Sequence, residues 1–298
     1  MSEKLRQVGF IGLGVMGEPM CRNLAVKSGL RIVGYDRDAL PLERLAQHGV
    51  TRAASVGEAA DGSDAVLLCL PSGEAVSEMV HAPDGLLAVI REGQVVVDLS
   101  TSSVKVTRKL QQAFAARGAT FIDAPIARTR AAAEAGKLSV MVGSDAATFE
   151  RVRPIIETFA EEITLCGPVG SGQVVKILNN MILFHNVLAL AQAKAIGENE
   201  GLDPALLFDT LAKGSADSFA LRNHGMKAML KDDFPLRAFS VRYARKDLNY
   251  ARELATSAGI DGDTAQKIDG LFAEAIEAGS GDRYWPVISR LMRVATGG

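Results

Sequence analysis

"GFIGLGVMGEPM", residues 9–20, sets Gly12, Gly14 and Gly17 at the G-x-G-x-x-G spacing. A β-rich run, 7–11, leads into it, and a helical run, 19–26, leads out. Glycines so spaced let the backbone turn tightly and approach a pyrophosphate, which then sits at the N-terminus of the next helix. Leu13, Val15 and Met16 lie between them, so the whole turn from Gly12 to Gly17 is the expected phosphate-facing loop. The next β-rich run, 31–35, ends at Tyr35-Asp36. An acid about twenty residues past the glycines is where the ribose 2′-hydroxyl is held. Together these features predict a dinucleotide site. Asp36 favours NAD, because its charge repels a 2′-phosphate. Arg37 follows directly and can pair with that phosphate, so NADP stays open.

The pattern continues outward. Runs 65–69, 95–98, 120–122, 138–142 and 163–166 read as further strands, with helical runs such as 104–116 and 147–159 between them. Such alternation predicts an α/β domain: a mostly parallel sheet with helices on both faces, of the doubly wound dinucleotide-binding type. After Cys166 the Gly/Pro stretch "GPVGSG" (167–172) intervenes. Beyond it only helical runs follow: 173–200, 204–212, 241–258, 263–278 and 285–294. The expected division is therefore an α/β domain over 1–167 and an all-α domain over 168–298, joined by a long interdomain helix.

Composition narrows the function. A formal charge of −2 gives no bulk attraction to nucleic acid. Cys21, Cys69 and Cys166 are far apart and odd in number, so neither a zinc site nor a disulfide framework is expected, and a reducing, cytoplasmic setting fits. The N-terminus "MSEKLRQVGF" lacks a charged-then-apolar leader pattern. The apolar segment 174–196 carries Lys176, Asn179, Asn180, His185, Asn186 and Lys194, too many polar groups for a membrane span, and reads as a buried helix.

Lys176 and Asn180, four apart in "GPVGSGQVVKILNN" (167–180), share a helix face, and Asn179 is close by. Apolar surroundings lower a lysine's pKa and suit it to proton transfer. The same spacing also fits a lysine whose stem lies along apolar surface with its head in water, beside amides bonded to a loop.

Six motifs in order resemble the β-hydroxyacid dehydrogenases over essentially the whole chain. They are GFIGLGVMG (9–17), Leu70-Pro71, DLSTSS (98–103), DAPIARTRAAAEAGKL (123–138), GPVGSGQVVKILNN (167–180) and Lys246-Asp247-Leu248. The resemblance implies an NAD(P)-dependent oxidoreductase that interconverts a small β-hydroxy acid and its semialdehyde. It makes Lys176 the proton donor and acceptor, with Asn180 on the same oxygen and Asn179 near the substrate. Leu70, Pro71 and Thr101 would line the cofactor, and Lys246 would close over it. It implies an active site in the cleft between domains, no metal, and a homodimer or homotetramer.

One stretch departs from the family. Most relatives have Ser-Gly-Gly where this chain has Ala127-Arg128-Thr129. The nearest carboxylates in sequence are Asp123 and Glu134. Arginine's fork suits a carboxylate, sulfonate or phosphate, so Arg128 is expected to face the acidic end of a small anionic substrate. Sulfolactaldehyde reductases, a subgroup, also have Arg-Thr here, which makes a sulfonate reductase the alternative. They carry serine where this chain has Leu183, which leaves an anionic substrate with an apolar contact. A non-catalytic dinucleotide-binding scaffold is a further alternative, opposed by the presence of Lys176, Asn180 and Lys246. Lys176 also argues against an imine reductase. Arg130, Lys137 and Arg242 read as solvated. His185 reads as packing, and His48, His81 and His224 as loop or helix-end residues. Cys21 and Cys69 read as small core residues, and Tyr284-Trp285 as a change at the rim of the cleft.

Overall fold

The computed structural model describes residues 5–292. The chain divides into two compact units, Met1–Lys176 and Ile177–Gly298. The first contains β1 (Gln7–Ile11), α1 (Gly17–Ser28), β2 (Arg31–Tyr35), α2 (Ala39–Ala46), β3 (Val50–Arg52), α3 (Val56–Ala60) and β4 (Ala65–Leu68). It continues through α4 (Gly73–His81), α5 (Leu86–Val89), β5 (Val95–Asp98), α6 (Val104–Ala115), β6 (Thr120–Asp123), β7 (Ile126–Ala127) and α7 (Arg130–Ala135). It closes with β8 (Leu138–Gly143), α8 (Ala146–Ile156) and β9 (Ala160–Gly167).

The strand order is β3-β2-β1-β4-β5-β6-β8-β7, with β9 also on β8. Pairing is parallel from β3 to β6. The antiparallel β8 then takes Asp123 opposite Gly143 and Ile126 opposite Val140, so β6 and β7 run along the same side of it in turn. Side chains alternate across the pleat. Val95 and Val97 enter one core cluster with Phe10 and Leu67, while Val96 enters another with Ile11, Val66 and Leu68. Both faces are covered by helices, which is why these strands read as unbroken apolar runs.

The second unit is helical. α9 (Ser171–Asn199) runs into it from the first, followed by α10 (Pro204–Leu211), a π-helical segment Leu221–Met229, α11 (Val241–Ala258), α12 (Asp263–Ala275), a π-helical turn Ile276–Ser280 and a 3₁₀ segment Trp285–Leu291. Two isolated antiparallel bridges, Leu236 with Arg283 and Ser240 with Tyr284, are the extended pairing among its described residues. Residues 293–294 of the last expected helix lie outside the described residues. By length and composition α9 could cross a membrane. Phe184, Val187, Leu188, Leu190 and Ala191 of that helix instead form the core of the helical unit, with Phe208, Leu248, Phe272 and Trp285. The division between units falls inside α9, past the Gly/Pro loop at 167, because the α/β unit holds the first turn of that helix by buried hydrogen bonds.

Candidate active site

The strand order reverses between β1 and β4, and at such a point the loops leaving two neighbouring strands part to open a crevice at their C-terminal ends. The loop after β1 is the glycine turn. Gly12 has φ +94°, a conformation that disfavours any side chain. Its N–H donates to the Tyr35 carbonyl at 2.9 Å. A Cβ on Gly12 would strike the Cys69 carbonyl, and one on Gly17 would strike the carbonyl of Gly12. A Cβ on Gly14 would meet nothing within 4 Å, so the backbone is bare where a ligand would approach. Leu13 is buried, Val15 exposed, and Met16 half-buried at the N-cap of α1. Asp36, at the end of β2, accepts Leu13 N–H at 2.5 Å and Asp38 N–H at 2.8 Å. The acid expected at the ribose therefore also braces the phosphate loop. Arg37 beside it is exposed. Leu70 donates its N–H to Ser100 Oγ at 2.9 Å, and Pro71 is exposed. The open Gly14 backbone, the close-packed Gly12 and Gly17, and the acid at the end of β2 fit a dinucleotide.

A second feature was not read from the sequence. The ends of β5 and β6 meet the start of α9 in a buried polar hub. Gln173, fully buried, donates from Nε2 to the Ser100 carbonyl at 2.8 Å and accepts Ser102 N–H on Oε1 at 3.0 Å. Its backbone N–H donates to Asp123 Oδ2 at 2.8 Å, and Gly170 N–H donates to Oδ1 at 2.6 Å. Asp98 accepts Ser100 N–H at 2.9 Å and Ser102 Oγ–H at 3.1 Å. Gly172 permits the contact, since a Cβ there would strike the Met141 carbonyl and crowd Asp123. Burial pushes the Asp123 carboxyl up to about 6, against the pull of the Gly170 and Gln173 N–H groups. The signal in the sequence was present as two acids at strand ends and a glutamine at a helix start, but nothing there said that they meet.

Lys176 stands one turn beyond Gln173, half-buried. Asn180 follows four residues on in the same unbroken helix, which puts it on the same helix face. In the helical unit Asn180 is buried and its amide is gripped from both ends. Nδ2 donates to Asp247 Oδ2 at 2.7 Å, while Oδ1 accepts from Asn179 Nδ2 at 3.1 Å. Asp247, also buried, pairs through its other oxygen with Lys246 Nζ at 3.0 Å. Lys246 Nζ lies 5.2 Å from the Tyr250 ring centre and 5.9 Å from that of Tyr243. Asp247 therefore joins Lys246 to the asparagine pair, a link that the tripeptide alone did not reveal.

Arg128 is placed differently from either carboxylate near it in sequence. Its Nη1 donates to Glu161 Oε2 and to the Lys137 carbonyl, both at 2.7 Å. Lys137 Nζ lies 3.8 Å from the other oxygen of Glu161. The Arg128 hydrogen bond, with the Lys137 charge, holds the Glu161 carboxyl below its usual range. Asp123 is turned to α9, and Glu134 pairs with Arg130 at 2.9 Å. Arg128 has φ +84°, a backbone conformation that favours glycine. Thr129 caps α7, accepting Ala132 N–H at 3.4 Å, and Ala127 is half-buried opposite Ser139.

His224 is not a loop residue: it is buried in the π-helical segment, bonded through Nδ1 to the Tyr284 hydroxyl at 2.5 Å. Trp285 is not at a rim. It is fully buried, edge-on to Phe184 at 4.9 Å between ring centres, because the 3₁₀ segment folds it into the helical core. His185 is half-buried, its Nδ1 at 2.7 Å from the Met181 carbonyl one turn back in the same helix. Among the described residues no group of three or more His, Cys, Asp or Glu could hold a metal ion.

The glycine turn at the sheet's reversal point and the acid after β2 are those of a dinucleotide-binding protein. Residues 7–167 match the family described as the NAD binding domain of 6-phosphogluconate dehydrogenase. Residues 170–288 match that described as NAD-binding of NADP-dependent 3-hydroxyisobutyrate dehydrogenase. The chain is 34% identical to 3-hydroxyisobutyrate dehydrogenase of Pseudomonas aeruginosa, covering 91% of this chain and 93% of that one. It is 32% identical to 2-(hydroxymethyl)glutarate dehydrogenase of Eubacterium barkeri, covering 93% and 90%. The solved 3-hydroxyisobutyrate dehydrogenase of Mycobacterium tuberculosis with L-serine superposes with a TM-score of 0.88 at 30% identity, over 97% of this chain and all of that one. The chain belongs to the β-hydroxyacid dehydrogenase family, and is an NAD(P)-dependent enzyme acting on a CH–OH group.

Proposed function

We propose that the protein interconverts a small β-hydroxy acid and its semialdehyde, with Lys176 moving the proton. The observation that carries this reading is the anchored first turn of α9. It presents Lys176 one turn beyond a helix start fixed to the strand ends by Gln173 and Asp123. The bound nicotinamide supplies or accepts the hydride. In reduction the Lys176 ammonium gives its proton to the forming alkoxide, and in oxidation the neutral amine takes the hydroxyl proton. Asn180 directs an N–H at the same oxygen. Its orientation is not free, since Asp247 accepts one amide hydrogen and Asn179 occupies the amide oxygen. Asp36 supports NAD over NADP. The free thiols of Cys21, Cys69 and Cys166 suit a reducing, cytoplasmic setting. Exposed Ile182, Ile196, Leu206 and Phe219 support self-association as a homodimer or homotetramer.

We assign the acidic end of the substrate to Ala127-Arg128-Thr129. A substrate anion there competes with Glu161 for the guanidinium. A sulfonate reductase is the second reading, favoured by the Arg128-Thr129 pair. Leu183, partly packed against the helical core where that subgroup has serine, counts against it. Absorbance at 340 nm, with NADH and NADPH in turn, tests these readings on tartronate semialdehyde, methylmalonate semialdehyde, succinate semialdehyde and sulfolactaldehyde. Turnover of a carboxylate substrate, with a KM sharply raised in Arg128→Ala, is the expected result. Turnover of sulfolactaldehyde alone selects the second reading. A KM unchanged in Arg128→Ala removes Arg128 from the substrate.

A further inference from the structure

We infer that Gln173 is a positioning residue that fixes the proton donor relative to the cofactor wall. The inference rests on the reading of Lys176 as proton donor and Thr101 as cofactor-lining. The geometry behind it is specific. The Gln173 amide donates to the carbonyl of Ser100 and accepts the N–H of Ser102, so it clasps the peptide units on either side of Thr101. Thr101 is the half-buried residue between two buried serines. One side chain therefore fixes the backbone that aims Thr101. The same residue's main-chain N–H is bound to Asp123, which also holds Gly170 and so pins the start of α9.

Lys176 lies three residues further along that helix, about 4.5 Å of rise away and on nearly the same side. A displacement of the first turn of α9 passes directly to the lysine stem, because the helix between them is continuous. Gln173 thus joins the strand-end loop that faces the dinucleotide to the helix that carries the proton. An apolar residue would fill the same buried volume, but it would leave Ser100 and Ser102 backbone groups unpaired. The hub has few degrees of freedom: Asp98 holds the far side of the same turn through Ser100 and Ser102, and Gly172 lets the helix start close against β8.

The test compares Gln173→Met with wild type and with Lys176→Ala. The readouts are kcat and KM, the cofactor Kd from quenching of NADH fluorescence, and the primary deuterium isotope effect with 4-deuterated NADH. In Gln173→Met, kcat falls on the order of 100-fold while substrate KM changes little, as a displacement of about 1 Å at the reacting atoms produces. The isotope effect on kcat rises, because hydride transfer becomes more nearly rate-limiting. A role confined to holding the fold would lower the melting temperature or the active fraction and leave the isotope effect alone.

Gln173→Glu keeps the acceptor for Ser102 N–H but sets a carboxylate oxygen against the Ser100 carbonyl and buries a charge near Asp98 and Asp123, so its kcat falls at least as far as that of Gln173→Met. It also serves if Gln173→Met does not fold. If neither variant folds, Gln173 is a folding determinant and the assignment is withdrawn. A folded Gln173→Met with wild-type kcat and isotope effect overturns it, while a dead Lys176→Ala beside it leaves the lysine reading intact. Full activity in Lys176→Ala instead removes the reading on which the inference rests.

Discussion

Acid should loosen the helical unit through one buried imidazole. His224 is 6% exposed, and burial pushes it down to about 4 from its ordinary 6.5. Burial also pushes the Tyr284 phenol up, so the bonded pair is neutral on both sides. The folded value is depressed, so between pH 6.5 and about 4 the unfolded chain binds a proton that the folded chain refuses, and stability falls as pH falls. Acidification from about pH 7 to about pH 4.5 crosses most of that window and costs about 2.5 kcal/mol. With an m-value of about 1.3 kcal/mol/M for a unit of this size, the urea midpoint should drop by about 2 M. The assay is direct: the chain's single tryptophan, Trp285, lies in this core with its ring centre 5.5 Å from that of His224. Asp123 works in the opposite sense in the α/β unit. Its value is raised to about 6, so its charge costs stability above that pH and the cost is relieved as pH falls towards 3.8. The decisive comparison is therefore wild type against His224→Gln, which leaves the Asp123 contribution unchanged. On acidification from about pH 7 to about pH 4.5 the wild-type midpoint should fall by about 2 M more than that of His224→Gln. If both proteins show the same pH dependence, the reasoning about His224 is refuted.

Three further outcomes are expected. Arg128→Gly should be more stable than Arg128→Ala by about 1 kcal/mol in urea or thermal melts, since only glycine occupies φ +84° without strain; the reverse order would show an unstrained backbone. Asp36→Ser should shift the kcat/KM ratio towards NADPH by about tenfold or more, while keeping a short acceptor near Leu13 N–H; an unchanged ratio would remove Asp36 as the determinant of cofactor choice. Asp247→Leu deprives Asn180 of its charged acceptor and Lys246 of its partner, at about 2 kcal/mol of transition-state stabilisation or about 30-fold in kcat, with Asp247→Asn milder; steady-state kinetics that place the whole effect on cofactor KM would tie Asp247 to Lys246 alone.

Local signals carried the α/β half of the fold. Strands buried on both faces announce themselves as apolar runs such as Val95-Val96-Val97, and a glycine turn needs its glycines wherever the backbone crowds, as Gly12 and Gly17 do against Cys69 and each other. The short elements were missed for the converse reason. β3 has three residues and β7 two, too few for any period to show. The π-helical segment Leu221–Met229 has no signature in spacing, so His224 could not be placed inside a core. The two family matches meet at the Gly/Pro loop near 167, while the compact units part inside α9, because Gln173 and Asp123 tie the first turn of that helix to the strand ends.

The candidate site divides along the same line. Asp36 was singled out by its distance from the glycine turn, and Lys176 and Asn180 by the motif that resembles the family, since their helical spacing alone fits a solvated lysine equally well. Their supports were not, because Gln173, Asp123 and Asp247 act through partners 67 to 73 residues away in some cases and no local pattern encodes the pairing. Arg128 shows the limit most clearly. Its chemistry could be read from one letter, but its partner, Glu161, lies 33 residues on, across a strand pairing. At φ +84° Arg128 carries its side chain on a backbone conformation that favours glycine. On the proposed substrate reading, Arg128 adds a charge for the substrate anion, and Glu161 at 2.7 Å competes for it.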